Sequence, residues 1–151
     1  MLRTAHAVWT GTGKDGTGHL TTPSGALKEQ PYSFKTRFES EDGRAGTNPE
    51  ELIAAAHAGC FSMALAFQLE AAGFTPDELR TVANLTMAQQ DGGYAITAIR
   101  LDLSARVPGI NQARFQQLAD EAKANCPVSK VLNAEITLNA TLEQSAGASV
   151  A

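Results

Sequence analysis

The chain has 151 residues, with twelve lysines and arginines against sixteen aspartates and glutamates and a formal charge of −4. That length allows one ordinary domain or two very small ones, and the mild acidity excludes the basic face of a general nucleic-acid binder. A composition that is 43% hydrophobic and 19% charged excludes a disordered chain, and two cysteines are too few for a disulfide-held scaffold.

The start, Met1-Leu2-Arg3-Thr4-Ala5-His6, lacks the apolar run of a secretion signal, so a cytoplasmic location with free thiols is expected. Residues 5–10 and 19–24 read as short strands around a glycine-rich turn. That turn, with Gly11, Gly13 and Lys14, lacks the strand–loop–helix setting of a phosphate-binding loop. Residues 32–39 alternate, with Tyr32, Phe34, Thr36 and Phe38 on one face and Ser33, Lys35 and Arg37 on the other, which predicts a strand. On that polar face Arg37 has the ordinary role of a solvated sheet residue open to it.

Thr47-Asn48-Pro49-Glu50-Glu51 predicts a helix start: Asn48 caps, Pro49 takes the first helical position, and the two acids sit at the positive end of the dipole. The helix is expected to reach Ala72 and stop at Gly73. Its stretch 52–69 is nearly long enough to span a membrane. It is mostly alanine, without basic flanks or aromatic belts, and is therefore read as a buried central helix with no membrane partner.

Residues 81–90 and 94–107 predict a hairpin around Asp91-Gly92-Gly93, with Ile99, Leu101 and Leu103 on one face of the second strand. Asn111 caps a helix whose apolar stripe is Phe115, Leu118, Ala119 and Ala122. Cys126-Pro127 interrupts it and starts a short helix through Leu132. A last strand over 134–142 has Ile136, Leu138, Ala140 and Leu142 alternating inward. The order is α+β with mostly antiparallel sheet, one domain over 1–143 and a flexible tail over 144–151.

Cys60 lies deep in the long helix, preceded by small residues that leave room at its sulfur. Cys126 lies at a helix break, where capping of the next helix would favour its thiolate. Either cysteine alone is adequately read as a small core hydrophobe. Glu50 and Glu51 are adequately read as first-turn acids. His57, three residues before Cys60, allows a Cys–His pair or a satisfied core histidine. His6 and His19 have no ligand spacing, and neither the cysteines nor His57 form a short metal-binding motif, so neither metal nor cofactor is expected.

Three segments then become recognisable. Thr47-Asn48-Pro49-Glu50-Glu51-Leu52-Ile53-Ala54-Ala55-Ala56-His57-Ala58-Gly59-Cys60-Phe61-Ser62-Met63-Ala64-Leu65 resembles the signature segment of the OsmC/Ohr family of thiol peroxidases. Cys126-Pro127-Val128-Ser129-Lys130-Val131-Leu132-Asn133-Ala134-Glu135-Ile136 resembles its second cysteine motif. Pro31-Tyr32-Ser33-Phe34-Lys35-Thr36-Arg37-Phe38-Glu39 resembles the arginine strand of the OsmC branch.

The resemblance implies the OsmC-like fold as an intertwined homodimer that reduces organic hydroperoxides, and hydrogen peroxide less efficiently, in oxidative and osmotic stress. It implies Cys60 as the peroxidatic thiol and Cys126 as the resolving thiol. Arg37 is implied as the cation beside the Cys60 thiolate, and Glu50 as the partner that orients it. Reset by a dithiol is implied, with lipoylated proteins as the family-level reductant. Apolar neighbours such as Phe61 and Met63 are expected to favour organic peroxides.

Ten residues of helix between Glu50 and Cys60 span about 15 Å. Either the helix breaks before Cys60, or Glu50 serves a cysteine on the other subunit. The apolarity of the helix favours the second, hence a dimer with sites at the interface. Two rivals stand beside this reading: a Cys60–His57 hydrolase or transferase indifferent to Cys126, and a sensor whose cysteine pair is a reversible clip.

Overall fold

The computed structural model describes residues 1–144. The expected flexible tail therefore lies, from residue 145 onward, outside the described residues. The chain groups into two compact units, Met1–Leu52 and Ile53–Ala151, and each is described by itself.

In the first unit, β1 (His6–Thr10), β2 (Thr17–Thr21) and β3 (Gln30–Ser33) form an antiparallel sheet in that order. Buried Gly18 allows Trp9 and Tyr32 to pack 5.4 Å apart between ring centroids. A Cβ at that position would stand 2.6 Å from the Trp9 ring and 2.7 Å from the Tyr32 ring.

The strand expected over 32–39 ends at Ser33 and gives way to a short helix, α1 (Phe34–Phe38). Two hydrogen bonds explain the switch. The Thr36 N–H donates to Ser33 Oγ at 3.3 Å, and the Ser33 N–H donates to Thr36 Oγ1 at 2.9 Å. This reciprocal cap starts a helix. Phe34 and Phe38, which satisfied an alternating pattern, equally satisfy the four-residue helical spacing, and their ring centroids lie 4.9 Å apart. Arg37 thus stands on a helical turn, not on a sheet face.

The long helix α2 (Pro49–Ala71) begins as its sequence requires. Asn48 Oδ1 accepts the Glu51 N–H at 2.7 Å, and Thr47 Oγ1 donates to Glu51 Oε2 at 2.8 Å. It ends in a left-handed Gly73 (φ +90°), with the Phe74 N–H reaching the Leu69 carbonyl and the Gly73 N–H the Glu70 carbonyl. That is the glycine stop expected from the sequence.

In the second unit, β4 (Glu78–Gln90) and β5 (Gly93–Arg106) form the expected hairpin, and β6 (Glu135–Glu143) adds to β5 in parallel. Among the described residues, three of the four strand pairings are antiparallel. The parallel one needs a crossover, supplied by α3 (Gln112–Asn125) and α4 (Pro127–Val131). Ile99, Leu101 and Leu103 of β5 meet Phe115, Leu118, Ala119 and Ala122 of α3 in one core, with Ile136, Leu138, Ala140 and Leu142 of β6 packed against it. Asn111 Oδ1 caps α3 by accepting the Arg114 N–H at 2.8 Å.

Helix α2 contributes His57, Phe61, Leu65 and Leu69 to the buried interior, one residue every four. Its other side is open in the single chain: Ala55, Gly59, Met63 and Phe67 are exposed, the last two at 64% each. The helix read as a buried central helix is thus built into the core on one side and open on the other, as expected of a helix too apolar for one chain to cover. By length and apolarity alone it also passes as a membrane span, but its buried residues are built into the core, as in the core helix of a globular unit.

The fully buried Phe115 closes that core. Phe115→Ala is expected to lower unfolding free energy by about 3–5 kcal/mol, read from guanidinium unfolding. An unchanged midpoint would contradict the packing described.

Candidate active site

The first unit holds a charged pair. Arg37, on α1, donates from Nη2 to Glu50 Oε1 at 2.6 Å and from Nε to both carboxylate oxygens at 3.0 and 3.2 Å. Two parallel donors on one carboxylate fix the plane of the guanidinium. Glu50 gains its position from the first turn of α2, and its side chain is only 14% exposed. Arg37 keeps 37% exposure, so the fork is held on one side and open on the other.

The same guanidinium lies 5.0 Å from the centre of the Phe38 ring. With Trp9, Gly13, Tyr32, Ser33 and Phe34 it lines a cavity of about 270 Å³. A cation at the wall of an aromatic cavity suits a ligand with an apolar body and a polar oxygen end. Reading by alternation missed this cavity, because its aromatic wall depends on α1 being a helix. The available signals were Ser33-x-x-Thr36 and the four-residue spacing of the two phenylalanines.

The second unit holds the thiols. Both cysteines are free. Cys126 is completely buried as a member of the core, and Cys60 is partly buried against the same core. Their side chains lie close enough for Cys126 to perturb the Cys60 thiol. Burial raises the Cys60 thiol above its ordinary pKa, the hydrogen bond to Cys126 raises it further, and the Val128 N–H aimed at its sulfur pulls it down. Each of these influences arises within the second unit.

Cys126 occupies the N-cap position of α4, yet its side chain makes no capping hydrogen bond. The expected capping role is thus not taken up, because the sulfur faces Cys60 and the core instead. Phe61, expected as an apolar neighbour favouring organic peroxides, is fully buried in the core. The possible Cys60–His57 pair gives way to another contact: His57 is fully buried, and its Nε2 lies 2.8 Å from Ser129 Oγ on α4. Its Nδ1 is buried without a hydrogen-bond partner. Helix α2 runs without interruption from Glu50 to Cys60, which removes the alternative of a break between them. Among the described residues, no three histidine, cysteine or acidic side chains gather as a metal site.

The second unit thus holds the two thiols, and the first a carboxylate-braced arginine beside an aromatic cavity. The sequence profile of the OsmC-like protein family matches residues 40–141, which include Glu50 and both cysteines. The chain belongs to the OsmC family. It is 53% identical to the peroxiredoxin OsmC of Escherichia coli K12 over 137 residues, covering 91% of this chain and 94% of that protein. It is 32% identical to an organic hydroperoxide resistance protein of Xanthomonas axonopodis pv. citri, covering 94% and 95%. Among solved structures, the organic hydroperoxide resistance protein OhrB of Bacillus subtilis superposes with a TM-score of 0.67 at 25% identity, covering 91% and 98%. One from Elizabethkingia anophelis gives 0.67 at 27% identity, covering 95% and 99%. The α+β OsmC-like fold, with its two small sheets and long helix, is shared with these neighbours.

Burial lowers the pKa of His57, so the folded OsmC domain resists its protonation. The stability this contributes is complete above the unfolded histidine pKa of about 6.5 and is lost as pH falls below it. Urea midpoints between pH 7.5 and 5 are expected to fall less in His57→Gln than in the wild type. Parallel profiles would contradict a buried neutral His57.

Proposed function

We propose that Cys60 is the peroxidatic thiol, Cys126 the resolving thiol, and Arg37, braced by Glu50, the cation that activates the first and binds the peroxide. The protein is a cysteine-based organic hydroperoxide peroxidase of the stress response, the activity carried by the names of its relatives. The observation that supports the residue assignment is that the two free thiols, one buried in the core and one packed against it, lie close enough for Cys126 to raise the Cys60 thiol.

The Cys60 thiolate attacks one peroxide oxygen, and the O–O bond breaks. The sulfur is oxidised to a sulfenic acid, and the other oxygen leaves as an alkoxide that takes up a proton to become the alcohol. Arginine retains its charge at physiological pH, and its fork offers donors where that negative charge develops. Cys126 then attacks the Cys60 sulfur. A disulfide forms and water leaves with the sulfenic oxygen. A dithiol reduces the disulfide by exchange; a lipoylated protein is the reductant proposed. The aromatic cavity at Arg37 favours an organic tail over hydrogen peroxide.

The activating cation is placed across a homodimer. Glu50 and Cys60 are ten residues apart on one unbroken helix, about 15 Å along its axis. The exposed stripe Ala55, Gly59, Met63 and Phe67 is apolar, and at Ala55 and Gly59 it is small enough for close helix approach. In this reading both units form one peroxidase domain, the stripe is covered by a second copy, and Arg37 with Glu50 serves Cys60 of the partner subunit. The protein is proposed to act in the cytoplasm, without nucleic acid, membrane, metal or cofactor.

Turnover of cumene hydroperoxide with a dithiol tests the assignment. Cys60→Ser is expected to abolish it, and Cys126→Ser to leave one alcohol released per chain without cycling. Arg37→Lys keeps the charge but loses the fork, and a loss of about 10²-fold or more in kcat/KM is expected. Full turnover by Cys60→Ser would overturn the proposal. Light scattering is expected to give twice the chain's mass, and Phe67→Glu to shift it toward one; a wild-type monomer with full activity would contradict the shared site.

A further inference from the structure

The mechanism leaves one buried titratable side chain unused. His57 is completely buried, lies one turn before Cys60 on α2, and bonds Ser129 Oγ at 2.8 Å. Ser129 follows Cys126 by three residues, as Cys60 follows His57 by three. The two contacts between these segments, Cys60 with Cys126 and His57 with Ser129, are therefore successive rungs of one ladder running in opposite chain directions.

Helix α4 needs such a rung. It is five residues long, none of them buried, and Val131 at its end is 76% exposed. A helix that short has no stability of its own and takes its position from tertiary contacts. Its backbone supplies the Lys130 N–H to Cys126 carbonyl bond at 3.1 Å, which ties the turn to Cys126 but not to α2. Its Cys126 side chain gives no cap that would hold the start of the turn. The Val128 N–H reaches α2 only through the Cys60 sulfur, a weak acceptor, and Val128 and Leu132 pack partly on the core, contacts that tolerate sliding. The hydrogen bond from His57 is directional and does not.

We infer that His57 is a positioning residue: its bond to Ser129 sets the register of α4 on α2 and so holds Cys126 against Cys60 while the sulfenic acid is resolved. This rests on the assignment of Cys60 and Cys126 above. His57 donates from Nε2, since that choice leaves a lone pair rather than a buried N–H on the unpartnered Nδ1. Burial keeps the ring neutral by lowering its pKa. It transfers no proton in the cycle. Its effect falls on the second step alone, in which the Cys126 thiol displaces the sulfenic oxygen as water. If α4 slides, the sulfenic acid outlives its partner's attack, and a second peroxide oxidises it to sulfinic acid with release of another alcohol.

The test separates the two steps in the full-length protein. Stopped-flow mixing with cumene hydroperoxide gives the rate of thiol oxidation. Mass spectrometry of quenched samples gives the rate of disulfide formation and the sulfinic fraction. His57→Leu and Ser129→Ala are expected to oxidise at the wild-type rate. Their disulfide formation is expected to slow on the order of tenfold to a hundredfold, with sulfinic Cys60 accumulating at high peroxide. The double variant should be no slower than the slower single one. His57→Gln, whose amide can donate to Ser129, should restore most of the rate, and thermal melts would show that all variants are folded.

Wild-type resolution in both single variants would overturn the inference. So would an equal slowing of both steps, or failure of glutamine to recover any of the loss. Failure of the underlying assignment is distinguishable: Cys60→Ser would then still consume peroxide.

Discussion

Two sulfurs can exchange electrons through a disulfide only if they can approach to about 2.05 Å with their Cα atoms within about 7 Å. Here a break in helical structure sets where Cys126 lies relative to Cys60. Cys126-Pro127 ends α3 and turns the chain into α4, since proline cannot supply the backbone donor that would continue the helix. The break lands Cys126 in the core beside Cys60, with the Val128 N–H on the Cys60 sulfur. The crossover, the parallel pairing of β6 and the apolar stripe of α3 all serve to deliver that corner to α2.

Placing two thiols together in apolar surroundings has a chemical consequence. Burial and the neighbouring Cys126 both push the Cys60 thiol up, and one backbone N–H opposes them. A thiol so placed is a poor nucleophile at neutral pH, because the thiolate is the reactive form. In the proposed cycle the second unit supplies both thiols. The first unit builds a cation with no thiol: a fork held by Glu50 and opened toward an aromatic cavity. The proposed dimer joins the two halves, and the uncovered stripe on α2 is where an apolar helix invites a second copy.

Much of the second unit was legible in the sequence because its signals are local and periodic. The Gly73 stop, the inward residues of β5 and the stripe of α3 each follow from spacing alone. The first unit was less so. Phe34, Thr36 and Phe38 suit two periods at once, and the choice rests on a cap between Ser33 and Thr36 that alternation does not register. The site residues came from the resemblance; residue chemistry alone left each with an ordinary explanation. Ser129 as the partner of His57 is a contact across 72 positions, which no local pattern carries. The open side of α2 was legible as an excess of apolar surface for one chain to cover, though not which residues form it.

The central claim is that Cys60 and Cys126 form one redox pair, and it is most directly tested by mass mapping after a single equivalent of organic hydroperoxide without reductant. The account predicts one alcohol released per chain, loss of two hydrogens, and a peptide linking Cys60 to Cys126 of the same chain. Sulfinic Cys60 beside a free Cys126 thiol, or a disulfide only between chains, would contradict it.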